Sequence, residues 1–199
     1  MFIHVVVLPL ALVSQSTADA GPAAAEDAFT RAVLTALTMH KRGDDALALR
    51  SLWEAVDDAR VRAPLDVHTG LVLDSPPENL GLYREAKAGM VFGETLLLYA
   101  EVDNHGLRRT PAGWEMNLWT DLFILDENGK RLGGRERFGE QVLTARAPYR
   151  TTHLVLEVGI AGLPPGAYRA QVVVHDDVGA KTGSVVIPFR VAARPGRNR

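Results

Sequence analysis

The sequence predicts a mainly β protein: an α-helical hairpin followed by two antiparallel sheets packed face to face, with about eight strands in all. Three observations predict it. Beyond Pro64 the apolar residues recur with period two, in segments parted by Gly, Pro, Asn and Asp clusters about every 10 to 15 residues. Before Pro64 they follow the 3.6-residue period of a helix. The composition is that of one globular domain whose core stands without staples, with 199 residues, 47% hydrophobic and 23% charged, and no cysteine.

Residues 2–13 are almost continuously apolar, and Ala18-Asp19-Ala20 follows a short polar stretch. This reads as a secretory signal peptide over residues 1–20, cut after Ala20, with a linker over 21–25. The run is too short to span a bilayer as a helix, which needs roughly 20 apolar residues. Its start lacks Lys and Arg, and the competing reading makes it an apolar strand or helix of the fold. Export sets the expected location: periplasm, cell envelope or extracellular space. The missing cysteine excludes disulfides, thiolate-bound zinc or iron–sulfur clusters, a thiol nucleophile and a lipoprotein anchor.

Residues 26–63 form the hairpin. Phe29, Ala32, Val33, Ala36, Leu37 and His40 fall on one helical face. Lys41-Arg42-Gly43 supplies cations for the last turn and a glycine stop. Asp44 or Asp45 can cap a second helix with the stripe Leu49, Leu52, Trp53 and Val56. The short turn makes the two helices antiparallel. The spacing Gly43, Ala48, Leu52, Ala55 resembles the second half of a tetratricopeptide unit, whose small residues let helices approach closely. With one unit where a solenoid needs about three, the hairpin is expected to be a lid or spacer rather than a peptide-binding groove.

The β domain covers residues 64–192, with strands expected at 67–73, 82–87, 95–103, 114–126, 131–138, 151–158, 168–175 and 184–192. Asn128-Gly129 suits a tight hairpin turn, since both tolerate positive φ. Gly133-Gly134 reads as a bulge or bend. Pro164-Pro165-Gly166 makes a rigid bend that delivers Tyr168 at a strand start, where its hydroxyl can bond back to upstream backbone. That is the role of the tyrosine corner in immunoglobulin-like β-sandwiches, and it makes the expected fold an immunoglobulin-like β-sandwich. Residues 193–199 read as a flexible basic tail.

Gly81-Leu82-Tyr83, the run Val91-Phe92-Gly93-Glu94 leading into residues 97–104, residues 125–130, and Leu163-Pro164-Pro165-Gly166 resemble uncharacterised secreted immunoglobulin-like β-sandwich proteins of planctomycete-type bacteria. The resemblance spans roughly residues 66–192. It implies an exported sandwich domain and carries over no activity or catalytic residue.

Chemistry is sparse in the sequence. With 22 basic against 24 acidic residues, nothing attracts nucleic acid globally. No Gly-x-Ser-x-Gly, Ser-x-x-Lys, Gly-x-Gly-x-x-Gly or phosphate loop occurs, so no catalytic residue and no cofactor site is expected. The histidines lack zinc-binding spacing, and no metal ligand is assigned. A metal-assisted hydrolase using His105 and His175 would require their two loops to meet. Residues 126–129 faintly echo a calcium loop, but the hairpin turn explains them better.

The segment 114–126 is apolar on both faces. Trp114 and Trp119 are an odd number of positions apart and belong to opposite faces. Trp119, Phe123 and Leu125 thus form a candidate interaction patch, to be covered by the hairpin through Phe29, Leu37, Leu49 or Trp53, or by a partner. The expected function is a non-enzymatic module for protein–protein contact or cell-envelope architecture, binding a protein or an envelope polymer. The alternative is a carbohydrate-binding or hydrolase-accessory module.

Overall fold

Asp27 opens the first helix by accepting the Thr30 N–H at 2.9 Å, and Gly43, at φ 79°, stops the chain two residues past its end. The computed structural model describes residues 27–193. The signal peptide and linker expected over 1–25, and residues 194–199 of the tail expected over 193–199, therefore lie outside the described residues. Helix α1 is Ala28–Lys41 and α2 is Asp45–Arg62, the latter capped by Asp44 through the Leu47 N–H at 3.2 Å. Among the described residues no helix is long and apolar enough to cross a membrane.

Ten strands follow: β1 Asp66–Asn79, β2 Leu82–Glu85, β3 Met90–Val91, β4 Thr95–Asp103, β5 Arg108–Thr110, β6 Gly113–Leu125, β7 Arg131–Ala145, β8 Thr151–Gly159, β9 Gly166–Asp176 and β10 Lys181–Val191. One sheet runs β2-β1-β4-β8. The other runs β3-β10-β9-β6, with β5 and β7 both paired to β6. The β3–β10 pair is parallel and the other described pairs are antiparallel. Both sheets feed one core: Leu96, Leu98 and Val102 of β4 meet Leu118 and Leu122 of β6, Val172 of β9 and Ile187 of β10. The sheets approach so closely at Gly70 that a Cβ there would lie 2.7 Å from Val185 Cγ2.

Among the described residues the expected count of eight strands is corrected to ten. β3 and β5 span two and three residues, too short for any periodicity to register. β7 runs to Ala145 instead of 138 because pairing with β6 sustains it, although most of it is exposed and shows no alternation. β1 runs to Asn79 through Pro76 and Pro77, in an irregular pairing with the edge strand β2.

The hairpin departs further from expectation. Its two helices meet through Ala32, Ala36, Ala48, Ser51 and Ala55, while the larger apolar residues of both stripes stay largely outside. His40, expected at the helix interface, is exposed and hydrogen-bonds Asp45 at 2.6 Å. The polar link to the sheets lies at the end of α2. Arg150 holds Asp57 through two bonds of 2.9 Å, and Lys181 Nζ donates to the carbonyls of Arg60 at 2.7 Å and Asn104 at 2.8 Å. The Arg150 guanidinium also lies 4.0 Å from the centre of the Trp53 ring.

Candidate functional site

The alternation of β6 sends Met116, Leu118, Leu122 and Ile124 into the core and leaves Trp119, Phe123 and Leu125 half-buried on the outer face. Local groups lie over the aromatic rings, where the sequence pointed to the hairpin or a partner. The His175 imidazole stacks on the Trp119 indole at 3.6 Å and 8°, and Asp177 accepts the indole N–H at 2.8 Å. Arg137 lies over the same indole at 4.5 Å and Arg131 over Phe123 at 3.6 Å. Two backbone irregularities aim these arginines. Gly134, at φ 146°, sits where a Cβ would come 2.3 Å from the Leu122 carbonyl, and Arg137, at φ 48°, donates its N–H to Asp121 at 2.9 Å.

Asp121 and Thr182 flank His175 at 3.1 and 3.3 Å, an acid–imidazole–hydroxyl series. Its members are cross-strand neighbours on one open sheet face, and the bonds fix the imidazole plane against which the indole rests. The sequence reading found the aromatic residues and missed the arginines. The recognised Asn128-Gly129 turn does set Leu125 opposite Arg131, but the bulge before β7 recovers its register hides Arg137.

The loops carrying His105 and His175 do meet. Asp176 is buried and accepts the N–H groups of Gly106 at 2.6 Å, Gly179 at 2.9 Å and Val178 at 3.1 Å. The imidazoles nevertheless diverge, because the period of β9 turns Asp176 inward and His175 outward. His105 is buried 5.4 Å from the Tyr149 ring, where burial and then the charge of Arg60 hold it below the ordinary histidine range. Among the described residues no group of three or more His, Asp or Glu side chains is placed to hold a metal ion. At the Pro165-Gly166 bend, Tyr168 donates its hydroxyl to the Pro164 carbonyl at 2.8 Å and stacks on Phe189.

A second cluster escaped the sequence reading. Thr69 adopts φ 50°, a strained value for a β-branched residue, at a bulge in the β1–β4 pairing. There Thr69 bonds His68 at 2.8 Å and Glu101 at 3.5 Å. Glu101 in turn accepts the hydroxyl of the buried Tyr99 at 3.0 Å, and burial raises the pKa of that phenol. No local periodicity announces such a bulge.

The hairpin also exposes large apolar side chains. Leu37, Leu49 and Trp53 are 52%, 58% and 51% exposed. Leu37 and Leu49 border a groove of about 490 Å³ between the helices, with Val33, Ala36, Ala48 and Leu52 also lining it.

The sequence matches no family model and no curated protein. Several solved structures are similar at low identity. An alkylpurine DNA glycosylase, AlkC, from Pseudomonas fluorescens is 17% identical at a TM-score of 0.35, over 77% of this chain and 40% of its own. A family 123 glycoside hydrolase from Clostridium perfringens is 12% identical at 0.34, over 52% and 22%. The CooA pilin subunit from enterotoxigenic Escherichia coli is 10% identical at 0.32, over 67% and 100%. The chain thus spans less than half the length of the first two.

Proposed function

We propose that this chain is a non-enzymatic, exported interaction module: an immunoglobulin-like sandwich that holds out a helical hairpin to a partner protein of the cell envelope. The observation that carries the reading is the inverted hairpin. Alanines fill its interior while Leu37, Leu49, Leu52 and Trp53 face out, where the sheets do not cover them. The occupant is an amphipathic helix with an uncharged apolar stripe, laid into the groove between α1 and α2. Charge supports that choice, because the titratable side chains lining the groove, His40 and Asp45, are bonded to each other. A strongly charged stripe would find no counter-charge there.

The immunoglobulin-like reading is supported by the strand order β3-β10-β9-β6-β7 opposite β2-β1-β4-β8 and by the Tyr168 bond back to Pro164. The export reading rests on the apolar run 2–13 and on Ala18-Asp19-Ala20. Asp121, His175 and Thr182 are given a positioning role for Trp119 and no catalytic one.

A photo-crosslinking residue at position 49 of the full chain, in intact cells, tests the docking face, with position 136 on exposed β7 as the control. A protein adduct at 49 and none at 136 is expected. The proposal is lost if position 49 yields no adduct, and adducts solely to a second copy would replace the partner with a homodimer. Protein recovered from the cytoplasm with Met1 intact would defeat the export reading.

A further inference from the structure

A separate cavity of about 500 Å³ lies where the end of α2 meets the loops 105–107 and 178–181. Its size suits a small organic molecule. Leu107, Trp114, Pro148 and Val178 supply apolar walls, and Arg60, His105 and Lys181, with the carboxylates of Asp57 and Asp58, supply the polar groups.

The polar groups are mismatched to what surrounds them. Lys181 spends two of its three N–H groups on the carbonyls of Arg60 and Asn104, leaving one donor unassigned among the described residues. His105 is 4% exposed, and neither ring nitrogen has a hydrogen-bond partner. Two carboxylates also line the cavity: Asp57 is held by Arg150, and Asp58 lies 2.7 Å from Arg62, although its buried Oδ2 makes no hydrogen bond. Asp176, close by, spends both oxygens on backbone amides.

We infer that this cavity binds a small organic carboxylate whose apolar or aromatic tail lies against Trp114 while its carboxylate takes the remaining donors of Lys181 and Arg60. Burial lowers the pKa of both cations, so a bound anion would offset the desolvation that burial imposes on them. One negative charge fits better than two, because Arg60 also feels Asp103 and Asp57. The walls ask for a tail, which inorganic anions lack.

The test titrates the full chain by calorimetry with phenylacetate, phenethylamine, phenethyl alcohol and inorganic phosphate. Phenylacetate should bind with a Kd of about 1 mM or tighter, and the other three at least about tenfold more weakly. Lys181→Met should weaken phenylacetate about tenfold, and Lys181→Arg should restore most of it. Because Lys181 also ties α2 to β10, Trp114→Leu serves as a second variant, expected to weaken binding with the lysine in place. If either variant fails to fold, amide shifts of the unaltered protein decide. Shifts at His105, Leu107 and Gly179 support the site, and shifts confined elsewhere overturn it. No binding by about 10 mM, equal binding of phenethylamine or phosphate, or unchanged affinity in well-folded Lys181→Met would each overturn it.

Discussion

The hairpin and the sheets draw on the same apolar side chains and use them in opposite ways. In the sheets, Leu96, Leu98, Leu118 and Leu122 are buried between two layers that supply all the neighbours a leucine needs. In the hairpin two helices alone cannot enclose a leucine. Alanine and serine take the interface, and the leucines remain outside. A region that has closed its core is a scaffold, whereas one that leaves large apolar residues open asks for another surface.

Substitutions at matched positions sharpen the contrast. The largest effect is expected from Leu118→Ala, which empties a site with 0% exposure: about 3 kcal/mol of stability and a fall of about 10 °C in Tm by calorimetry. Leu49→Ala, 58% exposed, should stay within about 0.5 kcal/mol in the same measurement. Equal losses at the two positions would erase the distinction.

Next comes Ala36→Leu, which overpacks the buried alanine interface of α1 and α2 and should cost about 2 kcal/mol locally. Helical circular dichroism should then melt ahead of the near-ultraviolet signal of the sheets. A single shared transition would mean that the two regions fold as one unit.

His105 gives the two regions a common pH dependence at their junction. The folded state holds its pKa below the ordinary value of about 6.5, so below that pH the unfolded chain binds a proton that the folded chain refuses. Stability is thus intact above about pH 6.5 and falls as pH drops, by at most about 1.4 kcal/mol per pH unit for this group. His153, also lowered by burial, acts with the same sign. His105→Phe, which keeps a ring against Tyr149, should flatten the slope in urea titrations between about pH 7 and 5. A rise in stability on acidification would contradict the assignment.

Two smaller effects probe the edges of the comparison. Tyr168→Phe removes the bond to Pro164 within the sheets and should cost about 1 kcal/mol by urea denaturation. A double-mutant cycle on Asp57 and Arg150, half-exposed at the junction, should return a coupling of about 0.5 kcal/mol. A coupling several times larger would show the hairpin to be fastened as firmly as a strand.

Much of this architecture was legible in residue order because it is local. Gly43 and Asp44 mark the helix turn, the period of β4 and β9 marks their inner faces, and Pro165-Gly166 announces the Tyr168 bend. The candidate sites were only partly legible. Trp119 and Phe123 stood out, whereas His175 reaches Trp119 from a strand distant in sequence, and Arg131 and Arg137 reach the two rings from the next strand through bulges that shift its register. The cavity at Trp114 and Lys181 draws on α2, β6, β10 and three loops, which no single window of sequence contains.

Periodicity therefore determined which side is apolar in both helices and in alternating strands such as β4, β6 and β9, since that depends on spacing along one chain segment. What lies against that side was decided by tertiary structure. The outer face of β6 is covered by arginine and histidine from its neighbours, and the apolar face of the hairpin stays open because small residues bring its helices too close to admit large ones.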